Sequence, residues 1–207
     1  VHGIEPFDVS PEWEKFMVMD WGYAKPFAVG WYAIDYDGVL YRYREWYGCK
    51  EGQVDAGLKM PAYEVARGIL SREKEKIRFR LADPSMWHPR PEGRRDEARG
   101  PTIQEDFASE GIFLMKADND RIQGKMQVHK RLQLNEDQPS VRIFNNCKHF
   151  WRTMPQMRES PQNPEDVDTD QEDHIYDEFR YTCMARPMKP KKVERIPTGS
   201  FAAERSK

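Results

Sequence analysis

Cysteine is scarce in this 207-residue sequence: Cys49, Cys147 and Cys183 lie far apart, without C-x-x-C spacing. An odd, dispersed set argues against a disulfide framework and a thiolate zinc site, and for a reducing compartment. No apolar run approaches the roughly 18 residues of a membrane span, and no basic-then-apolar signal pattern is present. The sequence also lacks a G-x-x-x-x-G-K-[ST] loop, so ATP hydrolysis by that motif is excluded.

An excess of one charge sign is missing too, because 33 Lys and Arg stand against 35 Asp and Glu, for a net charge of -2. That balance excludes a uniformly basic nucleic-acid binder but leaves local basic patches open. Charged residues make up 33% of the chain, which predicts long solvated loops or a tail. The length fits one domain, which we expect at residues 1–185, followed by a basic, disordered tail at 186–207.

The stretch from Phe16 to Trp46 predicts three antiparallel strands. Two apolar runs flank Asp20-Trp-Gly, and the turn at Asp35–Gly38 leads into the third strand, since Gly readily takes positive φ. Asp20 then lies within the first strand, where a carboxylate is costly to bury unless a cation or hydrogen bonds compensate it. A strand-end aspartate that caps a turn is the alternative interpretation.

Beyond these strands, helices and strands alternate. Periodicity and capping residues predict helices at about 61–73, 102–110, 120–134, 147–157 and 173–184, and strands at 77–81, 112–115 and 141–144. We expect the 112–115 strand to be fully buried and Asp118 or Asn119 to cap the third helix, with Ile122 and Met126 marking one of its faces. The expected fold class is α/β, with helices covering both faces of one mixed sheet.

Three carboxylates are notable for their positions. Asp20 lies in the first strand, Asp83 ends the 77–81 strand just before Pro84, and Asp177 lies on the last helix. A helical crossover should return the 77–81 strand parallel to the first, which brings Asp83 near Asp20, and the last helix can add Asp177. Clustered carboxylates repel one another unless divalent cations bridge them, and hard oxygen ligands select Mg²⁺ or Mn²⁺. Two such ions would suit phosphoryl displacement.

The last helix also carries His174, which lies one turn before Asp177 and within reach of the same ion or its water. Bland alternatives exist for its acids, because Asp173 can serve as the N-cap and Asp177 can pair with Arg180. Basic residues of the third helix are candidates for contacts with DNA phosphates, the alternative being a solvated helix face: Arg121, Lys125, Lys130 and Arg131.

Four segments resemble, in order, the nuclease domain of phage large terminase subunits. They are Met17 to Tyr23, Ala82 to Pro84, Asn119 to Leu132, and Asp173-His-Ile-Tyr-Asp-Glu-Phe-Arg-Tyr181. The similarity covers about residues 14 to 185, while the loop at 88–100 departs from the family pattern. The resemblance implies a ribonuclease-H-like fold and metal-dependent, largely sequence-independent cutting of packaged double-stranded DNA. It implies Asp20, Asp83 and Asp177 as the catalytic, metal-binding acids, with His174 as an accessory.

The resemblance also implies partners and a location. In a full-length protein these would be an N-terminal ATPase domain, the small terminase and the portal, in the host cytoplasm, with the basic tail as a docking segment. A start at Val1 rather than Met fits a C-terminal part of such a protein. We expect the isolated domain to be a monomer that does not bind membranes. Two alternatives stay open: another ribonuclease-H-like enzyme, of the resolvase or transposase type, and a non-catalytic DNA-binding or portal-docking module.

Overall fold

A computed structural model describes residues 1–89, 102–135 and 138–188. Its strands are β1 (Gly3–Ile4), β2 (Glu14–Asp20), β3 (Ala28–Ile34), β4 (Leu40–Tyr47), β5 (Arg80–Ala82), β6 (Met115–Lys116), β7 (Leu134–Asn135), β8 (Gln138–Pro139) and β9 (Val141–Phe144). Among these residues one mixed sheet has the order β1-β9-β4-β3-β2-β5-β6, and β7 pairs with β8 separately. The sheet pairs β2, β3 and β4 antiparallel, and every other neighbouring pair parallel. The expected mixed sheet is confirmed.

The predicted turn between β3 and β4 is present. Gly38 has a φ of +81°, a value that favours glycine, and its amide donates to the Asp35 carbonyl. The Asp35 carboxylate accepts from the amides of Asp37 and Val39, at 3.0 and 2.8 Å. The turn therefore joins β3 to β4 in their antiparallel pairing.

Helices cover both faces of the sheet. They are α1 (Ala62–Arg72), α2 (Ile103–Ser109), α3 (Arg121–Leu132), α4 (Lys148–Thr153) and α5 (His174–Ala185), with short 3₁₀ turns at Pro84–Trp87 and Met154–Gln156. Neighbouring residues of β3 show the two faces: Trp31 donates to Glu73 at the end of α1, whereas Tyr32 lies in a buried cluster under α5. α5 packs across β2, β3 and β5.

Two local predictions were wrong. The 112–115 segment is not fully buried: Phe113 and Met115 are 74% and 56% exposed while Ile112 and Leu114 are buried, because β6 is the edge strand of the sheet. The cap of α3 is Asp120, whose carboxylate accepts from the Gln123 amide at 2.9 Å.

The buried face of α3 also differs from the one that apolar spacing favours. Ile122 and Met126 are exposed, and Gly124 is buried against α5. A Cβ at Gly124 would lie 2.5 Å from Cγ of Arg180, so the two helices meet at a distance that only glycine allows. This close approach, rather than an apolar stripe, determines how α3 is oriented.

Both ends of the described chain are attached to the domain. β1, which the sequence did not predict, pairs parallel with β9, and Arg186 donates to Glu14 while its carbonyl accepts from Arg131. The predicted tail from Lys189 onward and the arginines at 90, 94, 95 and 99 lie outside the described residues. In the part of the chain that is described, no helix is long and apolar enough to cross a membrane.

Candidate active site

Two of the predicted acids lie side by side at the carboxyl ends of two neighbouring parallel strands. β2 and β5 are parallel with Met19 opposite Ala82, and the Asp83 amide donates to the Met19 carbonyl at 3.2 Å. Asp20 and Asp83 are the residues that follow this pair. The Asp83 carboxylate accepts from the Ser85 amide at 3.0 Å and from the Ser85 hydroxyl, so it also caps the first 3₁₀ turn.

α5 adds His174 at the same place. Its Nδ1 lies 3.1 Å from Oδ2 of Asp20, and its Nε2 lies 3.1 Å from Oδ1 of Asp55. When both neighbouring carboxyl groups are ionised they only accept, and both ring nitrogens then donate, as in the imidazolium form. Asp173, at the helix start, is buried and makes no side-chain cap bond.

Asp177 is held by two arginines. Nε of Arg180 donates to its Oδ1 at 3.0 Å, and a guanidinium nitrogen of Arg121 lies 3.5 Å from its Oδ2. The expected alternative pairing with Arg180 is therefore present. Arg121, considered from the sequence as a DNA contact, also donates to Asp166 at 2.6 Å and so lies within the site.

Burial and neighbouring charges raise the pKa of two of the acids, Asp20 and Asp173. Burial raises the pKa of Asp20, the charges of Asp177 and Asp83 raise it further, and the hydrogen bond from His174 opposes the shift. Burial and the Asp177 charge raise the pKa of Asp173 to about 6. Burial alone would lower the pKa of His174, but the bond and charge of Asp20 outweigh it and raise the pKa above the ordinary 6.5, which favours the imidazolium. The site is short of positive charge.

This shortage bears on the expected cation. The donors at the sheet edge are carboxylate oxygens, the type that Mg²⁺ and Mn²⁺ prefer, and their mutual repulsion is what a divalent cation would relieve. Among residues 1–89, 102–135 and 138–188, no three His, Cys, Asp or Glu side chains are already arranged to hold a metal ion. The donor chemistry fits such an ion, and the side chains must exchange their present partners to bind it.

The basic candidates of α3 divide into buried and exposed residues. Lys125 is buried and donates to Glu159 and to the carbonyls of Pro164 and Asp166, and Arg131 is buried and donates to three backbone carbonyls. Lys130 is exposed. Only Lys130 among these three presents its charge to the surface.

Sequence reasoning missed Asp55. It lies in the loop between β4 and α1, which has no periodicity, and its partner His174 is 119 residues away. The available signal was weak: the loop carries three glycines, and an Asp before Ala-Gly is common in turns. In the structure Asp55 has a φ of +55°, in the left-handed region.

Solved structures with this architecture were found, although no family model and no curated protein matches the sequence. The nuclease domain of the P22 large terminase superposes with a TM-score of 0.61 at 18% identity, over 89% of this chain and 87% of that one. The fold is that of a terminase nuclease domain.

Longer terminase structures agree with this fold. The large terminase of a thermophilic bacteriophage, in complex with ADP, superposes with a TM-score of 0.64 at 21% identity over 88% of this chain. The chain spans only 41% of that longer terminase, and the form without ADP gives the same score over 42%. The terminase nuclease fold therefore accounts for nearly all of this chain, and for less than half of the thermophilic phage protein.

Proposed function

We propose that this chain is the metal-dependent endonuclease domain of a phage large terminase, which cuts concatemeric double-stranded DNA during genome packaging. One observation carries the proposal: Asp20 and Asp83 end adjacent parallel strands, and α5 brings His174 to Asp20 and the Asp177 charge near it. The fold, shared with the P22 nuclease domain, supports it. Resolvases and transposases remain the alternative enzymes of the ribonuclease-H-like group.

The three acids would hold Mg²⁺ or Mn²⁺, with two ions expected from the number of carboxylates. When bound, the metal supplies Lewis acidity at the phosphate and a more acidic water. Arg121 and Arg180 hold Asp177 in place through both of its oxygens. Asp83 is oriented by Ser85, so each acid has a fixed neighbour that defines its direction.

His174 is suited to hold or move a proton at Nδ1, the nitrogen that faces Asp20. Its ring lies between the sheet edge and the loop that carries Asp55, on the first turn of α5. Since α5 also carries Asp177, one rigid element brings both groups to the strand acids.

The proposed substrate is DNA read through its backbone. Phosphate contacts carry no sequence information, and exposed Lys130 is the α3 residue that can make one. Packaging also needs a motor, and the ADP-bound terminase of the thermophilic phage is more than twice as long as the part that matches. We therefore place the ATPase domain, the small terminase and the portal as partners of the full-length protein.

A plasmid-nicking assay tests the proposal. The purified chain should cut supercoiled DNA with Mn²⁺ or Mg²⁺, without a unique cut site, and should not cut in EDTA. Asp20→Asn should reduce cutting to background, because it removes a charge from the metal-binding set while keeping the shape. Asp37→Asn is the matched control, since Asp37 is exposed in the β3–β4 turn. Equal cutting by Asp20→Asn and parent, or cutting in EDTA, contradicts the proposal.

A non-catalytic module on the same fold is the second candidate. The observation that favours it is that Asp20, Asp83 and Asp177 already have protein partners. Calorimetric titration with Mn²⁺ separates the two candidates. The nuclease should bind Mn²⁺ and lose binding in Asp20→Asn, whereas the module should bind DNA and no metal.

A further inference from the structure

The His174 ring lies between two carboxylates that belong to different parts of the fold. Asp20 comes from the end of β2, and Asp55 comes from the loop that precedes α1. Both distances are 3.1 Å, and the side chains of His174, Asp20 and Asp55 are only 15%, 9% and 20% exposed. The proposed catalytic acids account for one of these contacts and leave the Asp55 contact without a role.

Asp55 is held firmly enough to fix the ring. Its other carboxylate oxygen binds Lys25, in the loop that follows β2. Backbone bonds join the two loops, from the Gly57 amide to the Ala24 carbonyl at 2.8 Å and from Lys59 to Tyr23 at 3.2 Å. The left-handed backbone at Asp55, with a φ of +55°, is one that Asp adopts more readily than most residues. The carboxylate is therefore set by its surroundings rather than by chance.

We propose that Asp55 is a positioning residue for His174: it holds Nε2 so that Nδ1 faces Asp20. The inference deepens the proposed nuclease function and rests on it for its catalytic consequence. Turning the ring by half a rotation would replace Nδ1 by a carbon at the Asp20 side, and the bond at Nε2 opposes that rotation. A carboxylate that fixes the second nitrogen of a functional histidine sets its orientation in the same way at other sites.

The contact between Asp55 and His174 would also be present if it only fastened the loop before α1 to α5. The two roles differ in what the ring does when the carboxylate is removed while the loop keeps its shape. Asp55→Gly removes the carboxylate and suits the left-handed backbone, and Asp55→Asn keeps an acceptor oxygen. Lys59→Gly is the matched control, because Lys59 has a φ of +56° in the same loop and its side chain is exposed.

The first readout is the long-range ¹H–¹⁵N spectrum of the histidine rings in metal-free protein. The signals of His174 are those that disappear from the spectrum of the His174→Ala variant. The parent and Lys59→Gly should show one ordered ring with a protected Nε2 proton. Asp55→Gly should lose that proton signal to exchange with water, and Asp55→Asn should retain part of it. An unchanged His174 signal in Asp55→Gly would overturn the inference, and this readout holds even if the chain cuts no DNA.

The second readout is the cleavage rate. Loss of a residue that orients a functional histidine typically costs about 10- to 100-fold, so Asp55→Gly should cut at least about 10-fold more slowly, with Asp55→Asn in between and Lys59→Gly unchanged. In the His174→Ala background, Asp55→Gly should cause no further loss, since contacting residues are non-additive. An additional full loss there would show that Asp55 acts independently of His174 and would overturn the inference. Absence of cutting by the parent would instead contradict the nuclease proposal.

Discussion

Two charged clusters lie one residue apart on α5 and are built in opposite ways. Asp177 belongs to the cluster of acids at the carboxyl ends of β2 and β5, and its charge raises the pKa of Asp20 and of Asp173. Glu178 is fully buried and binds Arg42 of β4, which also binds the Tyr32 hydroxyl. The first cluster brings several carboxylates together, whereas in the second the buried Glu178 carboxylate binds a buried guanidinium.

The buried cluster links four elements, which are β3, β4, α4 and α5. Arg42 lies over the rings of Tyr32 and Phe150, at 5.4 and 5.2 Å, and 3.5 Å from Glu45. The Glu45 carboxylate accepts from the amides of the first turn of α4, at His149 and Phe150. This buried cluster joins α5 to the sheet, while the neighbouring acids are where we propose that a cation binds. A buried ion pair holds the helix, and the neighbouring acids form the proposed site.

Breaking the buried pair should have the largest effect on stability. Arg42→Met leaves Glu178 as an uncompensated buried carboxylate, which typically costs about 3–5 kcal/mol. Urea unfolding measures the change. The double variant Arg42→Met with Glu178→Gln is the control, since it also removes the Glu178 charge and should recover much of the loss. A single variant as stable as the parent would show that the pair does not hold α5.

Filling the space above β3 should have the next largest effect. A Cβ at Gly30 would lie 2.5 Å from a Glu178 carboxylate oxygen and 2.6 Å from an Arg42 guanidinium nitrogen. Gly30→Ala should therefore destabilise the fold by about 1–3 kcal/mol, as overpacking does, and should slow cleavage by displacing α5. Urea unfolding and plasmid nicking by the folded variant test both effects. Unfolding and cleavage equal to those of the parent would mean that neither stability nor cleavage depends on the observed position of α5 on the sheet.

The cluster of acids should respond in the opposite direction when a charge is removed. The Asp173 pKa is about 6 when folded against 3.8 as the ordinary value, so the folded state holds the proton more tightly. Its contribution to stability is present below about pH 4 and is lost as the pH rises through 6. Asp173→Asn should flatten that part of the metal-free pH profile and raise neutral-pH stability by on the order of 1 kcal/mol.

Urea midpoints between pH 4 and pH 8 compare the variant with the parent, and Asp37→Asn serves as the exposed control. A profile for Asp173→Asn that is parallel to the parent profile would assign the pH dependence to other carboxylates, Asp20 first among them.

The smallest expected effect is on DNA binding, and it should differ between an exposed and a buried lysine of α3. Removing one phosphate contact with Lys130→Ala should weaken DNA binding modestly and lower its salt slope by about 1. Lys125→Met should leave DNA binding by the folded protein unchanged but lower its stability, because Lys125 is buried on protein acceptors. Binding titrations at several salt concentrations measure the difference, and the reverse pattern would place the DNA contact at Lys125.

The sequence predicted the acids better than their surroundings. Asp20 and Asp83 could be placed together because a helical crossover forces parallel pairing, and β2 and β5 are indeed neighbours. Asp55 could not be found, since its role depends on a contact with a helix formed 119 residues later. Lys125 looked like a surface charge because helical spacing alone does not show which face a neighbouring helix covers. Close contact at Gly124 decides that face, and it is a tertiary property.

The position of α5 along the chain has a consequence for synthesis. The chain is synthesised from its N-terminus, so the strands that bear Asp20 and Asp83 are made long before the helix that bears Asp177 and His174. Until α5 docks, Arg42 lacks its partner Glu178, and Asp20 lacks its partner His174. The step that completes the fold is thus the step that completes the proposed cutting site. Under the proposed function, a nascent or truncated chain that lacks α5 should therefore not cut DNA.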